Sequence, residues 1–141
     1  MNVFDVEATL PHGFHDAVLE RIHINYTDCV ADLTLQLWIG LVDPLPARVG
    51  REPVMRRALL SLAGLVYAMI DPPRTSASPA GGINVESAVE SNGNLSGVPE
   101  GCFRFRLFAS DWNSSIEVVA RDARLQWIEA EESAWSSARR R

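Results

Sequence analysis

The sequence predicts a mainly β protein: a single-domain antiparallel β-sandwich or open barrel of about six strands. Segments in which apolar and polar residues alternate recur along the chain, and Pro- and Gly-rich segments separate them. The length of 141 residues is typical of one domain, and a hydrophobic share of 47% can supply one buried core. We therefore expect a single β-rich domain over residues 1–141.

The first predicted element is a β-hairpin over residues 17–40. In its first run Ile22 and Ile24 alternate with polar residues, and in its second run every other residue is apolar. Thr27-Asp28 is a polar dipeptide suited to a tight turn between the two runs. A helix over 16–24 is the competing interpretation, but the β-branched residues and the alternating second run favour strands.

Four further segments predict strands: Met55–Ile70, Ile83–Glu90, Cys102–Ala109 and Ser115–Ala120. The first of them is apolar on both faces, which predicts either a central buried strand with a bulge at Gly64 or a buried helix. We favour a strand because Pro-rich loops bound this segment. Residues 121–127 either continue the last strand or pair back on it through Asp122.

Two segments predict flexible loops, one near 42–53 and one near 71–82, because Pro and Gly interrupt any regular pattern there. The polar segment 129–141 predicts a short C-terminal helix that docks through Trp127, Ile128 and Trp135. A frayed tail is the alternative for that segment.

The charge balance excludes several kinds of chemistry. The chain has 13 Lys and Arg residues, all of them Arg, against 18 Asp and Glu residues, for a formal net charge of −5. The absence of Lys excludes a Schiff-base lysine, a P-loop lysine and a Ser–Lys dyad. The acidity and the scattered arginines argue against nucleic-acid binding, which needs a basic surface that releases counterions.

No apolar run is long enough to span a bilayer, so we expect no membrane association. The first ten residues contain Asp5 and Glu7 and no basic residue, which is unlike a secretory signal. We therefore expect a cytoplasmic protein in which Cys29 and Cys102 are reduced thiols.

The densest cluster of metal-capable side chains consists of His12, His15 and Asp16. Two imidazoles and a carboxylate can bind a divalent cation, and His23 can join them from the adjacent strand. The interpretation that we prefer is structural: these residues shape the loop before the first strand. No motif predicts a cofactor or a catalytic residue, so the sequence leans away from an enzyme.

The candidate binding residues are Trp38, Arg104, Arg106 and Trp112, because aromatic and Arg side chains dominate the hot spots of protein interfaces. The position of Trp38 in its alternating run places it on the outer face of the strand, and Trp112 lies in a predicted turn. The alternative, which we favour for Trp38, is that the C-terminal segment covers this side chain.

The start of the hairpin contains Phe14-His15-Asp16-Ala17 followed by Ile22-His23-Ile24 and Tyr26. Over Leu10–Gly40, with a fainter likeness at Phe105–Ala120, the chain resembles small bacterial β-rich proteins, among them proteins thought to be immunity proteins of polymorphic toxin systems. The resemblance implies a protein that binds and neutralises a partner. It brings no catalytic residue to this chain.

Three functions therefore remain open. The first is a non-enzymatic protein-binding module, for example an immunity-type inhibitor, whose acidity steers a cationic partner. The second is a small-ligand-binding or catalytic β-barrel, with a pocket lined by Phe103, Phe105 and Trp38 and with His15 or Arg104 as polar groups. The third is a structural homodimer that forms through an exposed strand edge.

Overall fold

A computed structural model of the chain describes residues 1–40, 54–71, 83–87, 97–109 and 114–128. Within these ranges it contains one short helix and eight β-strands, and every strand pairing is antiparallel. The mainly β, antiparallel fold class is confirmed. The elements are α1 (Val3–Ala8), β1 (Ala17–Asn25), β2 (Val30–Gly40), β3 (Val54–Ala63), β4 (Tyr67–Ile70), β5 (Ile83–Ser87), β6 (Phe103–Ala109), β7 (Ser114–Ala120) and β8 (Asp122–Trp127).

The strands form one hydrogen-bonded series in the order β4-β7-β6-β5-β1-β2-β3-β8. It divides into two halves, β4-β7-β6-β5 and β1-β2-β3-β8, which enclose a common apolar core. A short ladder between β5 and β1 joins the halves on one side. Within the described ranges β4 and β8 do not pair with each other, so they are the two edges of the sheet.

On the other side the halves are joined by a bent two-stranded ribbon. β3 passes into β4 at Gly64, and β7 passes into β8 at Arg121. Hydrogen bonds continue across the bend, from the Arg121 N–H to the Ala63 carbonyl (3.0 Å) and from the Val66 N–H to the Val119 carbonyl (2.8 Å). The predicted segment 55–70 is therefore split into two strands, and residues 122–127 form a further one, which is why eight strands replace about six.

The bend decides between the alternatives for two segments. Residues 55–70 form strands rather than a helix, with the break at Gly64. Residues 121–127 continue β7 and pair with β3 instead of folding back. The prediction of a wholly central strand over 55–70 is wrong for its second part, because β4 is an edge strand.

One face of each strand packs in the core, as the alternation predicts. The aromatic rings of Phe14 and Phe105 meet there at a tilt, with their centroids 5.2 Å apart. Burial of such side chains is the main favourable contribution to folding. Among the largest fully buried side chains are Phe14, Leu33, Leu35, Leu37, Leu60, Leu62, Phe103, Phe105 and Leu107.

The alternation changes phase within β1, which the sequence did not reveal. A bulge lies between Leu19 and Arg21, so the inward-facing positions shift by one residue. Leu19 is buried before the bulge, and Ile22 packs against the core after it. A single period of two would place Val18 and Ile22 on the same face. Because of the bulge, Val18 instead lies on the face opposite to that of Ile22.

The hairpin turn is longer than the predicted dipeptide, since β1 ends at Asn25 and β2 begins at Val30. The side chain of Asn25 accepts a hydrogen bond from the Asp28 N–H (3.0 Å), and Cys29 adopts a positive φ of 54°. These features close a turn of residues 26–29. Cys29 is an exposed free thiol, and Cys102 is free as well.

A short N-terminal helix, α1, was not predicted. Asn2 caps it, and Val3 and Val6 are buried in the core. The carboxylate of Glu7 accepts a hydrogen bond from the Phe14 N–H (3.2 Å). The interaction fixes the turn that carries Phe14 into the core.

The predicted loop at 42–53, nearly all of the loop at 71–82, and the tail at 129–141 with its predicted helix lie outside the described residues. In the part of the chain that is described, no helix is long and apolar enough to cross a membrane.

We expect Gly64→Ala to lower the free energy of unfolding by about 2 kcal/mol. Gly64 has a φ of +65°, and a Cβ there would lie 2.8 Å from the Cβ of Arg121. Urea denaturation measures the loss. Gly97→Ala is the matched control, because Gly97 also has a positive φ of +81° but a Cβ would meet only the Arg104 guanidinium at 4.0 Å. Equal losses for the two variants would show that the close approach at the bend is unimportant.

We expect the contribution of Asp122 to stability to vanish in acid. The hydrogen-bonded N-terminal ammonium of Met1 lowers the pKa of the Asp122 carboxyl below its ordinary value of 3.8. A lowered folded-state pKa stabilises the protein above the ordinary value, and this stabilisation is lost as the pH falls through the lowered value. Thermal unfolding of the wild type and Asp122→Asn should therefore differ near neutral pH and converge in strong acid. A constant difference at all pH values would contradict this assignment.

Candidate functional site

The two edges of the sheet are treated differently. β8 carries Asp122, Arg124 and Gln126, and the N-terminal segment lies along it. The Ala123 N–H donates to the carbonyl oxygen of Met1 (2.7 Å), and the Met1 ammonium pairs with Asp122. Charged side chains and a covering segment are common ways of blocking an exposed strand edge. The β8 edge is therefore protected.

The β4 edge is apolar and exposed. Val66, Tyr67, Met69 and Ile70 have exposed fractions of 49%, 47%, 37% and 47%. Tyr26, 81% exposed, lies in the hairpin turn next to this strand, where it lines a shallow pocket with Val66 and Tyr67. We call these five residues the β4 edge surface. None of them is charged, and contiguous exposed apolar surface marks an interaction site more often than chance exposure does.

The outer face beside the β4 edge surface carries an ion-pair cluster. The Glu117 carboxylate on β7 forms ion pairs with two arginines on β6, at 2.7 Å from Arg104 Nε and 3.6 Å from Arg106 Nη2. The arginines are two residues apart, so they share a face, and the register sets Arg106 directly opposite Glu117. The side chains of Arg104 and Glu117 are only 19% and 13% exposed.

A concave pocket of about 430 Å³ lies over this ion-pair cluster. Its volume is within the range of small-molecule sites, although it is open to solvent and only partly apolar. The pocket borders the β4 edge surface, because Val66 and Tyr67 belong to both. The lining also includes Gly97, Pro99, Arg104, Glu117 and Val119.

The structure brings together only two of the predicted binding residues. Arg104 and Arg106 meet at Glu117, which the sequence analysis did not single out, although opposite charges in adjacent alternating strands are a signal for such a pair. Trp38 is separated from both arginines by β1 and β5. Trp112 lies outside the described residues.

Trp38 has a structural contact that the sequence does not indicate. It lies on the outer face as predicted, and its indole N–H donates to the backbone carbonyl oxygen of Asp16 (2.8 Å). Asp16 has a positive φ of 52° at the point where the N-terminal loop enters β1. Trp38 therefore helps to hold that loop against the sheet.

The three metal candidates do not converge in the structure. His12, His15 and Asp16 are exposed, and the described ranges contain no group of three or more His, Cys, Asp or Glu side chains placed to hold a metal ion. His15 Nε2 lies 3.2 Å from the carboxylate of its neighbour Asp16. In this loop Asp16 has a positive φ of 52°, and the Glu7 carboxylate accepts the N–H of Phe14.

One row across the outer face has the residue types of a hydrolytic triad but not its geometry. His23, Asp32 and Ser61 occupy paired positions on β1, β2 and β3. The Ser61 hydroxyl donates to the Asp32 carboxylate (2.6 Å), so the carboxylate lies where a triad needs the imidazole. This row does not provide a base for activating the serine.

The predicted aromatic pocket also differs from what is found. Phe103 and Phe105 are each only 2% exposed and belong to the packed core. Arg104 does line a pocket, but that pocket lies on the outer face of the sheet, away from these rings and from Trp38.

Comparisons of the chain with protein-family models, with curated proteins and with solved structures find no match.

We expect Glu117→Gln to lower the free energy of unfolding by about 2 kcal/mol, because it leaves two arginines on a partly buried face without their shared carboxylate. Arg106→Gln is the control, since Arg106 is 35% exposed and 3.6 Å from Glu117. It should cost less than about 1 kcal/mol. Denaturant titrations compare the two variants, and an equal or larger loss for Arg106→Gln would contradict this ranking.

Proposed function

We propose that the chain is a non-enzymatic protein-binding module that pairs an extended segment of a protein partner with the β4 edge. The observation that supports the proposal is the β4 edge surface, an uncharged and exposed apolar strand edge in a protein whose other edge is protected. An extended chain added to such an edge gains main-chain hydrogen bonds, and the flanking side chains provide apolar contacts.

The properties of the β4 edge surface define the partner segment. Because Tyr67 and Met69 project from the outer face, the segment should present apolar side chains at alternate positions on that face. A charged side chain placed there would lose hydration without an opposite charge in the β4 edge surface to compensate for it. The segment is therefore extended, apolar and uncharged.

The net charge of −5 has a separate role in this proposal. Long-range attraction increases the rate at which a cationic partner meets the chain, while contact affinity depends on the apolar surface. An immunity-type inhibitor is one form of this activity. Such a protein acts by covering its partner and needs no catalytic group.

We expect Met69→Lys to weaken partner capture by at least about tenfold, since a lysine on an edge strand opposes strand addition. Met69 pairs with Glu117 across β4 and β7, so the fold can accept a lysine at this position. Gln126→Lys, on the exposed face of the protected edge strand β8, is the matched control. The three immobilised proteins are incubated with extract of the source cells, and each retained protein is quantified by mass spectrometry.

The proposal requires a specific protein that the wild type and Gln126→Lys retain equally and that Met69→Lys loses. Retention that is unchanged by Met69→Lys would overturn the assignment of the β4 edge, as would the absence of any specifically retained protein. Circular dichroism of each variant checks that the fold is intact.

A further inference from the structure

We propose that the pocket over the ion-pair cluster binds a small organic carboxylate, in which an anionic head group recognised by Arg104 is attached to a flat apolar body. This site goes beyond the proposed function, because its ligand is a small molecule and not a protein. The strand register, the loop before β6 and the charges of the cluster each support one part of the assignment.

The floor of the pocket is a row of side chains across three strands. Tyr67 on β4 pairs with Val119 on β7, and Val119 pairs with Arg104 on β6, so all three lie on the same face. Neighbouring strands are about 4.8 Å apart, which places the Cα atoms of Tyr67 and Arg104 about 10 Å from each other. A flat apolar body that covers Val119 therefore reaches from the aromatic ring to the guanidinium.

The loop before β6 lines one side of the pocket through Gly97 and Pro99. The Pro99 carbonyl oxygen accepts the Cys102 N–H (3.1 Å), which ties this loop to the start of the strand. A Cβ on Gly97 would lie 4.0 Å from Arg104 Nη2, while Arg104 Nε lies 2.7 Å from the Glu117 carboxylate. The guanidinium thus spans the floor from the carboxylate to the loop, where a head group can meet it.

The charges of the ion-pair cluster favour an anion. Arg104 and Arg106 share the Glu117 carboxylate, so the cluster has two positive charges for one negative charge in a chain whose net charge is −5. The Arg104 side chain is only 19% exposed, and partial removal from water strengthens its attraction for an anion. A guanidinium has five N–H donors, of which one carboxylate engages at most two, so it can contact Glu117 and a ligand together.

One excess positive charge matches a carboxylate better than it matches a phosphate. A carboxylate carries one negative charge, whereas a phosphate monoester carries nearly two at neutral pH. The second charge of a phosphate would lie close to Glu117, where the cluster has no further positive charge to compensate for it. The head group that fits the cluster is therefore a monoanion.

Titration with cinnamate, followed by the amide shifts of the isotope-labelled protein in NMR spectra, tests the site. We expect saturable binding with a dissociation constant of about 1 mM, as for other ligands of this size. The shifts should be concentrated at Gly97, Arg104 and Val119. Cinnamamide, which has the same shape without the charge, is the matched control and should bind at least about tenfold more weakly. Phenyl phosphate should also bind more weakly than cinnamate.

Three variants assign the contacts. Arg104→Gln should weaken cinnamate binding at least about tenfold, because it removes the guanidinium that meets the head group. Arg106→Gln is the matched control, since Arg106 belongs to the same ion-pair cluster but lies outside the pocket lining and is 35% exposed. Its loss should weaken binding by only about threefold, through a charge that solvent screens. Tyr67→Ala removes the ring without touching the cluster and should weaken binding about fivefold, so it tests the site independently of the stability of Arg104→Gln.

Several results would overturn the site. Equal binding of cinnamate and cinnamamide would exclude recognition of an anion, and tighter binding of phenyl phosphate would exclude the preference for a carboxylate. The absence of saturable shifts below about 10 mM cinnamate, or shifts that lie away from the pocket, would exclude the pocket itself. A loss for Arg106→Gln as large as that for Arg104→Gln would show a general attraction of the cluster for anions instead of a contact with Arg104.

Discussion

Between Ala63 and Leu65 the backbone turns from one half of the sheet into the other without losing its hydrogen bonds. Gly64 permits this because its positive φ is compatible with glycine, and because the side chain of Arg121 occupies the space that a Cβ would need. The N–H groups on either side of the bend are bonded to Ala63, Cys29 and Val119 carbonyls. The half-sheets thus face each other across one core without an unpaired ladder at the corner.

The same bend explains why β4 has an open edge. Before the bend, β3 lies between β2 and β8, and its last residue Ala63 pairs with Val30, the first residue of β2. Beyond Ala63, the chain faces the turn between β1 and β2 and no longer faces β2 itself. In that turn, the Cys29 carbonyl accepts the N–H of Leu65. Among the described strands, β4 therefore keeps β7 as a neighbour but has none on its other side. The length of the hairpin, as much as the composition of β4, creates the candidate interface.

The sequence predicted the fold class and most strand positions because alternation reports directly which face of a strand is buried. It did not predict the bulge after Leu19, since a bulge shifts the period without a distinctive residue type. It also missed the open edge at β4. An apolar run such as Tyr67–Ile70 has the same pattern in a central strand and at an edge, and only the lengths of neighbouring elements distinguish these cases. The sequence therefore gives no reason to select Met69 as a candidate binding residue. It does select Arg104, because Arg side chains are common in interface hot spots.

The charge distribution separates how partners meet from how they bind. The formal charge of −5 acts over roughly the Debye length, about 8–10 Å at physiological salt, and so influences the encounter. At contact distance, Glu117 is already paired with Arg104 and Arg106, and the β4 edge surface contributes no charge. Binding there depends on strand pairing and apolar burial. The acidity of the chain, which first suggested a basic partner, is therefore compatible with a contact surface that has no preference for positive charge.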